Sequence, residues 1–231
     1  MFRPLIANLS ARVLRASVAR IANDMALMQS MRATYASVSL LDQVMPDATA
    51  CSSRDQVMDV AFAATGQASG FLCELGVYKG DSLNKLAKRA FPHKVYGFDT
   101  FTGLPEFWRS GFPQGAFDVS GEKLRFATNC VLYKGLFDQT LPNFLKDVPD
   151  QARLIHVDCD LYSSTSIALR ILTPRITPQT VIVFDEYFNY VGWEKHEHKA
   201  FLEFLEATGR SCRYLAYNRR GQQVAVIISD R

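Results

Sequence analysis

The chain has 231 residues, 48% of them hydrophobic and 21% charged, with a formal net charge of +3. This length and apolar content supply one sizeable core, and the weak, evenly spread basic balance gives no electrostatic ground for a nucleic-acid partner. No apolar run is long enough for a membrane span, no secretory start pattern is present, and the five cysteines form no C-x-x-C pair, so the expectation is a soluble protein of a reducing, cytoplasmic compartment.

The start, "MFRPLIANLSARVLRASVAR", places Arg3, Arg12, Arg15 and Arg20 before the first acid, Asp24. Mitochondrial transit peptides share that composition. The apolar spacing continues through Ile21, Met25 and Met28, however, and predicts an amphipathic helix that packs on the domain or on a partner. Residues 1–53 therefore read as a helical extension, a cap or a dimerisation element, and residues 54–231 as the main domain. A homodimer is expected.

"MPDATACSSRD" reads as a loop, followed by a helical stretch over 54–66. Apolar strand-like runs then recur at 70–76, 94–99, 130–135, 153–158 and 180–187, with helical candidates at 81–90, 138–147, 164–173 and 194–207. Strands apolar throughout and alternating with helices predict a parallel sheet covered on both faces. "CRYLAYN", a turn at "NRRG" and "QQVAVIIS" close the chain as a β-hairpin that supplies an antiparallel edge strand. The expected fold is α/β, a Rossmann-like, doubly wound, mostly parallel sheet of seven strands, with N-terminal helices in front.

In such sheets ligands collect beyond the carboxyl ends of the strands. In "CELGVYKGDS" the first of these runs ends at Glu74, Gly76 permits a turn, and Asp81 or Ser82 can cap the helix that follows. A helix N-terminus there favours an anion. The next run ends at Asp99, about 25 residues on, where nucleotide-binding sheets place an acid for ribose hydroxyls. Tyr78 and Lys79 stand between Gly76 and Gly80, a poor fit to the dinucleotide pattern G-x-G-x-x-G, so an NAD-dependent oxidoreductase is disfavoured.

"ELGVYKGDS" resembles motif I of the class I S-adenosylmethionine-dependent methyltransferases, and "GFDTFTGLPE" is similar to the motif after their second strand. The subgroup it looks like is the macrocin O-methyltransferase-like family, which methylates sugar hydroxyls of antibiotics, with a more distant likeness to catechol O-methyltransferase. The resemblance covers residues 55–230. It implies that Glu74, Gly76, Tyr78 and Ser82 surround the methionine part of the cofactor, that Asp99, with Thr100 beside it, takes the ribose, and that Gly135, Phe137 and Asp138 flank the adenine.

"LIHVDCDLYSST" and "VIVFDEYFNY" drive two further strands into Asp158 and Asp160, and into Asp185 and Glu186. If these strands are neighbours, the negative charges converge, at a cost unless they are solvated, partly protonated or bound to a cation. All-oxygen donors favour a hard ion, with Mg²⁺ leading and Mn²⁺ or Ca²⁺ as alternatives. The resemblance assigns the metal to Asp158, Asp185 and Glu186, with Asp158 also at the cofactor. The sugar O-methyltransferases carry two aspartates where this chain has Asp-Glu, which puts the third ligand in question. The expected chemistry is in-line methyl transfer to a hydroxyl of a small polyhydroxylated acceptor, with Asp158 and Asp160 as catalytic carboxylates and Asp160 as base. Leu161 stands where the catechol type has its lysine. The rival reading is a non-catalytic cofactor-binding protein of the same fold.

His196 and His198, two apart on a helix, cannot easily share an ion and are expected at the surface. His156 lies on the same strand side as Asp158 and reads as a core histidine or as a partner of the acids. The aromatic-rich segment between Asp99 and Asn129 is a candidate lid, and "YFNYVGW" a second aromatic loop able to line an acceptor or to pack the rim.

Overall fold

The computed structural model describes residues 23–230. The Arg-rich start, with the transit-peptide and amphipathic-helix readings of residues 1–22, lies outside the described residues. Helix α1 (Met25–Val44) is capped by Asp24, whose carboxylate accepts from Leu27 N at 3.0 Å. Its Ala33 and Ser37 are buried, whereas Met25 and Tyr35 stand 77% and 70% exposed.

An eight-stranded sheet forms the centre, one strand more than the sequence predicts. The extra strand is β1 (Thr49–Cys51), inside the segment read as a loop; three residues are too few for periodicity to register, and pairing with a later strand creates it. The remaining strands are β2 (Phe71–Leu75), β3 (Val95–Asp99), β4 (Cys130–Lys134), β5 (Ala152–Val157), β6 (Val181–Phe184), β7 (Arg210–Asn218) and β8 (Val224–Asp230). Their order is β1-β7-β8-β6-β5-β2-β3-β4. Strand β8 runs antiparallel to both β6 and β7, while β7 is parallel to β1. The antiparallel strand is thus internal rather than at the edge, because the hairpin folds back to insert β8 between β6 and β7.

Helices α2 (Arg54–Ala64) and α3 (Asp81–Ala90) cover one face, placing Val57, Met58, Ala61, Leu83, Leu86 and Ala87 against Leu72, Val181 and Val183. Helices α4 (Phe137–Asp147), α5 (Tyr162–Leu172) and α6 (Glu197–Thr208) cover the other, around Phe98, Phe144, Leu169 and Phe201. Both faces of each central strand are therefore covered, and apart from the buried Glu74 and His156 they are largely apolar, which is why these runs show no alternation in the sequence. Among the described residues no helix is long and apolar enough to cross a membrane.

The chain order reverses at β2, which pairs with β3 on one side and β5 on the other. The crevice beyond β2 and β5 is the switch point of the sheet.

Candidate active site

Gly76 ends β2 with φ +90, and a Cβ there would overlap the backbone carbonyl of Asp158. The glycine thus serves the close approach of β2 and β5 at their ends, where Asp158 N donates to Leu75 O at 2.9 Å. Gly80, with φ +86, precedes α3, and its hydrogen faces the Phe126 ring. No side chain caps α3, contrary to the expectation for Asp81 or Ser82, because Ser82 Oγ donates instead to Glu74 Oε1 at 2.9 Å. The first N–H groups of α3 therefore have no side-chain cap at the cavity mouth.

Asp99 binds this loop from the neighbouring strand. Its Oδ2 accepts from Val77 N and Tyr78 N, each at 2.7 Å, and its Oδ1 from Phe101 N at 2.6 Å. One carboxylate thus fixes the glycine turn and the start of the aromatic segment together. Thr100 Oγ1 accepts from Thr102 N at 3.2 Å. Gly135 N donates to Asp99 O at 2.9 Å, bringing the turn before α4 to the same crevice.

A cavity of about 600 Å³ opens here. Gly76, Tyr78, Ser82, Asp99 and Thr100 line it from one side, and Gly135, Phe137 and Asp138 from the next loop. Asp158, Asp160, Asp185 and Glu186 line its far end. Of the residues predicted for the site, Glu74 alone does not line it: it has no solvent exposure and lies beneath, bonded to Ser82 and to His156.

Strands β5 and β6 are parallel neighbours, and they bring ligand atoms of His156, Asp158 and Asp185 within 4.8 Å of one another, a group that takes His156 in place of the predicted Glu186. His156 is fully buried, with Nδ1 2.8 Å from Glu74 Oε2 and Nε2 3.6 Å from Asp185 Oδ1. Burial alone would lower its pKa, but hydrogen bonding to Asp185 and Glu74 raises it to about 10. Asp185 is held below the usual carboxylate range: burial opposes this, and His156 and Arg54 outweigh it. Burial and repulsion from Asp185 push Asp158 up to about 7, and burial with repulsion from Asp158 pushes Asp160 up to about 8. Asp160 holds a left-handed backbone, φ +64, at the turn into α5. Glu186 is raised well above its ordinary value by burial and by Asp185, and its Oε2 has no hydrogen-bond partner among the described residues.

Arg54, Glu197 and Arg109 are site residues that the sequence reading does not single out. Arg54 pairs with Asp158 through Nη2, and its Nε lies 2.7 Å from Asp185 Oδ1. Glu197, fully buried at the start of α6, accepts from Glu186 N at 3.0 Å. A cluster of acids demands a cation, but nothing in the pattern singles out Arg54 from the other basic residues.

The aromatic segment folds over the cavity without regular strands or helices. Trp108 is buried, and the Arg109 guanidinium lies 3.8 Å from the Trp108 ring centroid and 4.5 Å from that of Tyr190. Ser163 Oγ donates to Glu106 Oε1 at 2.5 Å, tying the segment to α5. In the second aromatic loop Tyr187, Phe188, Tyr190 and Trp193 are all buried, so that loop chiefly packs the rim. His198 is also buried, not at the surface as expected: it shares a helix face with Phe201 and packs edge-on against Trp193 and Tyr187.

A glycine turn at the switch point, an acid on the next strand and further acids line one crevice, as the methyltransferase resemblance implies. Comparison with known proteins agrees. Residues 73–187 match the family described as "Methyltransferase domain". A curated relative, 8-demethyl-8-(2,3-dimethoxy-alpha-L-rhamnosyl)-tetracenomycin-C 4'-O-methyltransferase of Streptomyces olivaceus, is 31% identical over 140 residues; the match spans 51% of this chain and about half, 53%, of that protein. Among solved structures, CalS11, a calicheamicin methyltransferase, superposes with a TM-score of 0.60 at 22% identity, over 89% of this chain and 93% of its own. NovP, an O-methyltransferase, gives 0.57 at 18%, over 76% and 80%. Over residues 73–187 the chain is thus similar to the methyltransferase domain family, and its overall fold is that of CalS11 and NovP.

Proposed function

We propose that this chain transfers a methyl group from S-adenosylmethionine to a hydroxyl of a small polyhydroxylated acceptor, a sugar or a glycosylated natural product. The observation that carries this is the single cavity joining the loop of Gly76 and Asp99 to the pair Asp158 and Asp160. The relative's name supports the acceptor class, for it acts on a rhamnosyl 4'-oxygen.

The cofactor's carboxylate suits the uncapped start of α3, and Asp99 suits its ribose. Gly135, Phe137 and Asp138 stand where the adenine would lie. Asp158 and Asp160 then face the sulfonium, where their negative charge attracts the cation and leaves an oxygen to take the proton released as the hydroxyl attacks. Alignment of hydroxyl and methyl supplies much of the rate. Arg109, held over Trp108 and Tyr190, places a fixed positive charge beside Asp160, which favours its ionised form.

Asp158, Asp185 and Glu186 have the donor chemistry for Mg²⁺, and Glu186 Oε2, buried without a hydrogen-bond partner among the described residues, fits as a donor. Bound there, the ion would lower the pKa of an acceptor hydroxyl. The exposed apolar side chains of α1, Met25, Met28, Tyr35 and Val38, support a homodimer built on that helix, testable by gel filtration of a truncation lacking residues 1–45. Five free cysteines fit a reducing, cytoplasmic setting.

The test is transfer of radiolabelled methyl over a panel of sugars, sugar nucleotides and glycosides, with and without chelator. Label on an acceptor oxygen supports the proposal. Labelling of none of the panel, by protein shown to bind the cofactor, opposes it; undiminished turnover in chelator would remove the metal alone.

A further inference from the structure

The acids at the ends of β5 and β6 already hold a cation, and it comes from the chain itself. Ser53 caps α2, its Oγ accepting from Gln56 N at 3.2 Å, and this fixes Arg54 as the first helical residue. From there the side chain lines the cavity. Its Nη2 donates to Asp158 Oδ2 and its Nε lies 2.7 Å from Asp185 Oδ1. The side chain is 39% exposed, so it has room to leave.

The guanidinium hydrogen-bonds Asp158 and stands as an ion-pair partner beside Asp185 Oδ1, which puts its charge between the two carboxylates where a divalent ion would sit. Of the oxygens left on Asp185, Oδ2 accepts from Gln223 Nε2 at 3.3 Å. Asp185 Oδ1 has no hydrogen-bond partner among the described residues, but with Arg54 Nε 2.7 Å away the guanidinium occupies the space before it and its fixed positive charge repels a metal. Arg54 remains charged at any ordinary pH.

We propose that Arg54 is an internal counter-cation that competes with a divalent metal for Asp158 and Asp185, so that a metal enters only as the guanidinium swings away. This rests on the reading of Asp158, Asp185 and Glu186 as the donor set. Removing Arg54 leaves those carboxylates without their partner and strengthens their pull on a metal. Lysine, a point charge that cannot bridge both acids in the same way, is expected to fall between.

The test is Mn²⁺ binding without cofactor or acceptor, followed by electron paramagnetic resonance, for the native protein, Arg54→Gln and Arg54→Lys. The expected result is about tenfold or greater tightening in Arg54→Gln, a smaller gain in Arg54→Lys, and a larger rise in melting temperature on adding Mn²⁺ to either variant than to the native protein. If Arg54→Gln does not fold without metal, refolding on Mn²⁺ addition, together with the Arg54→Lys titration, decides the matter. Equal or weaker binding in the variants, or no Mn²⁺ binding by any of them, overturns the proposal. Calorimetry with S-adenosylhomocysteine on the same proteins reports separately on the methyltransferase reading.

Discussion

His156 and Glu74, neither with any solvent exposure, pair through Nδ1 and Oε2 at 2.8 Å beneath the floor of the cavity. The pair links the strand under the glycine turn to the strand that ends in Asp158, and Ser82 ties it to α3. Removing one member leaves a buried charge unpaired, which costs about 3–5 kcal/mol. We expect Glu74→Leu and His156→Leu each to lose stability of that order in urea unfolding, and the double variant to lose less than the sum. Losses below about 1 kcal/mol would show that the pair contributes little to stability.

Asp160→Asn tests the base. Asparagine tolerates the left-handed backbone that Asp160 adopts, so the turn into α5 should survive. The expected loss is about 10²–10⁴-fold in kcat, with the affinity for S-adenosylhomocysteine unchanged. Native turnover in this variant would assign the proton to another group.

Gly76→Ala tests the geometry of the switch point. Its φ of +90 and the overlap of a Cβ with the Asp158 carbonyl oblige either β2 or β5 to move. The loss should exceed about 2 kcal/mol and be accompanied by loss of cofactor binding in calorimetry. A stable variant that binds the cofactor normally would contradict the packing described.

His198 gives a pH dependence set by its burial. Burial lowers its pKa from 6.5 to about 4. The unfolded chain therefore binds more protons between those values, and stability falls as pH drops from about 6.5 toward 4, by about 3 kcal/mol from this group alone. His198→Phe should flatten that part of the stability–pH curve; an unchanged slope would assign it to other groups.

The strand ends were legible because parallel strands buried on both faces stop abruptly at their polar residues. Asp99 and Asp185 each follow an unbroken apolar run, and Asp158 one interrupted only by His156, so the run ends mark the acids. Strand β1 was not legible, since its three residues take their form from pairing with β7. The burial of His198 does not show in its spacing from His196; the informative interval is the three residues to Phe201, also buried. Arg54 was hidden for a deeper reason: charge balance says that a cation is needed, yet only the fold says which one can reach.

The measurement closest to the central claim is a crystal structure of the protein with S-adenosylhomocysteine. The account predicts the amino-acid end of the ligand at the start of α3, the ribose at Asp99 and the sulfur directed toward Asp158 and Asp160. A ligand bound elsewhere, or one whose sulfur faces away from those two aspartates, would contradict it.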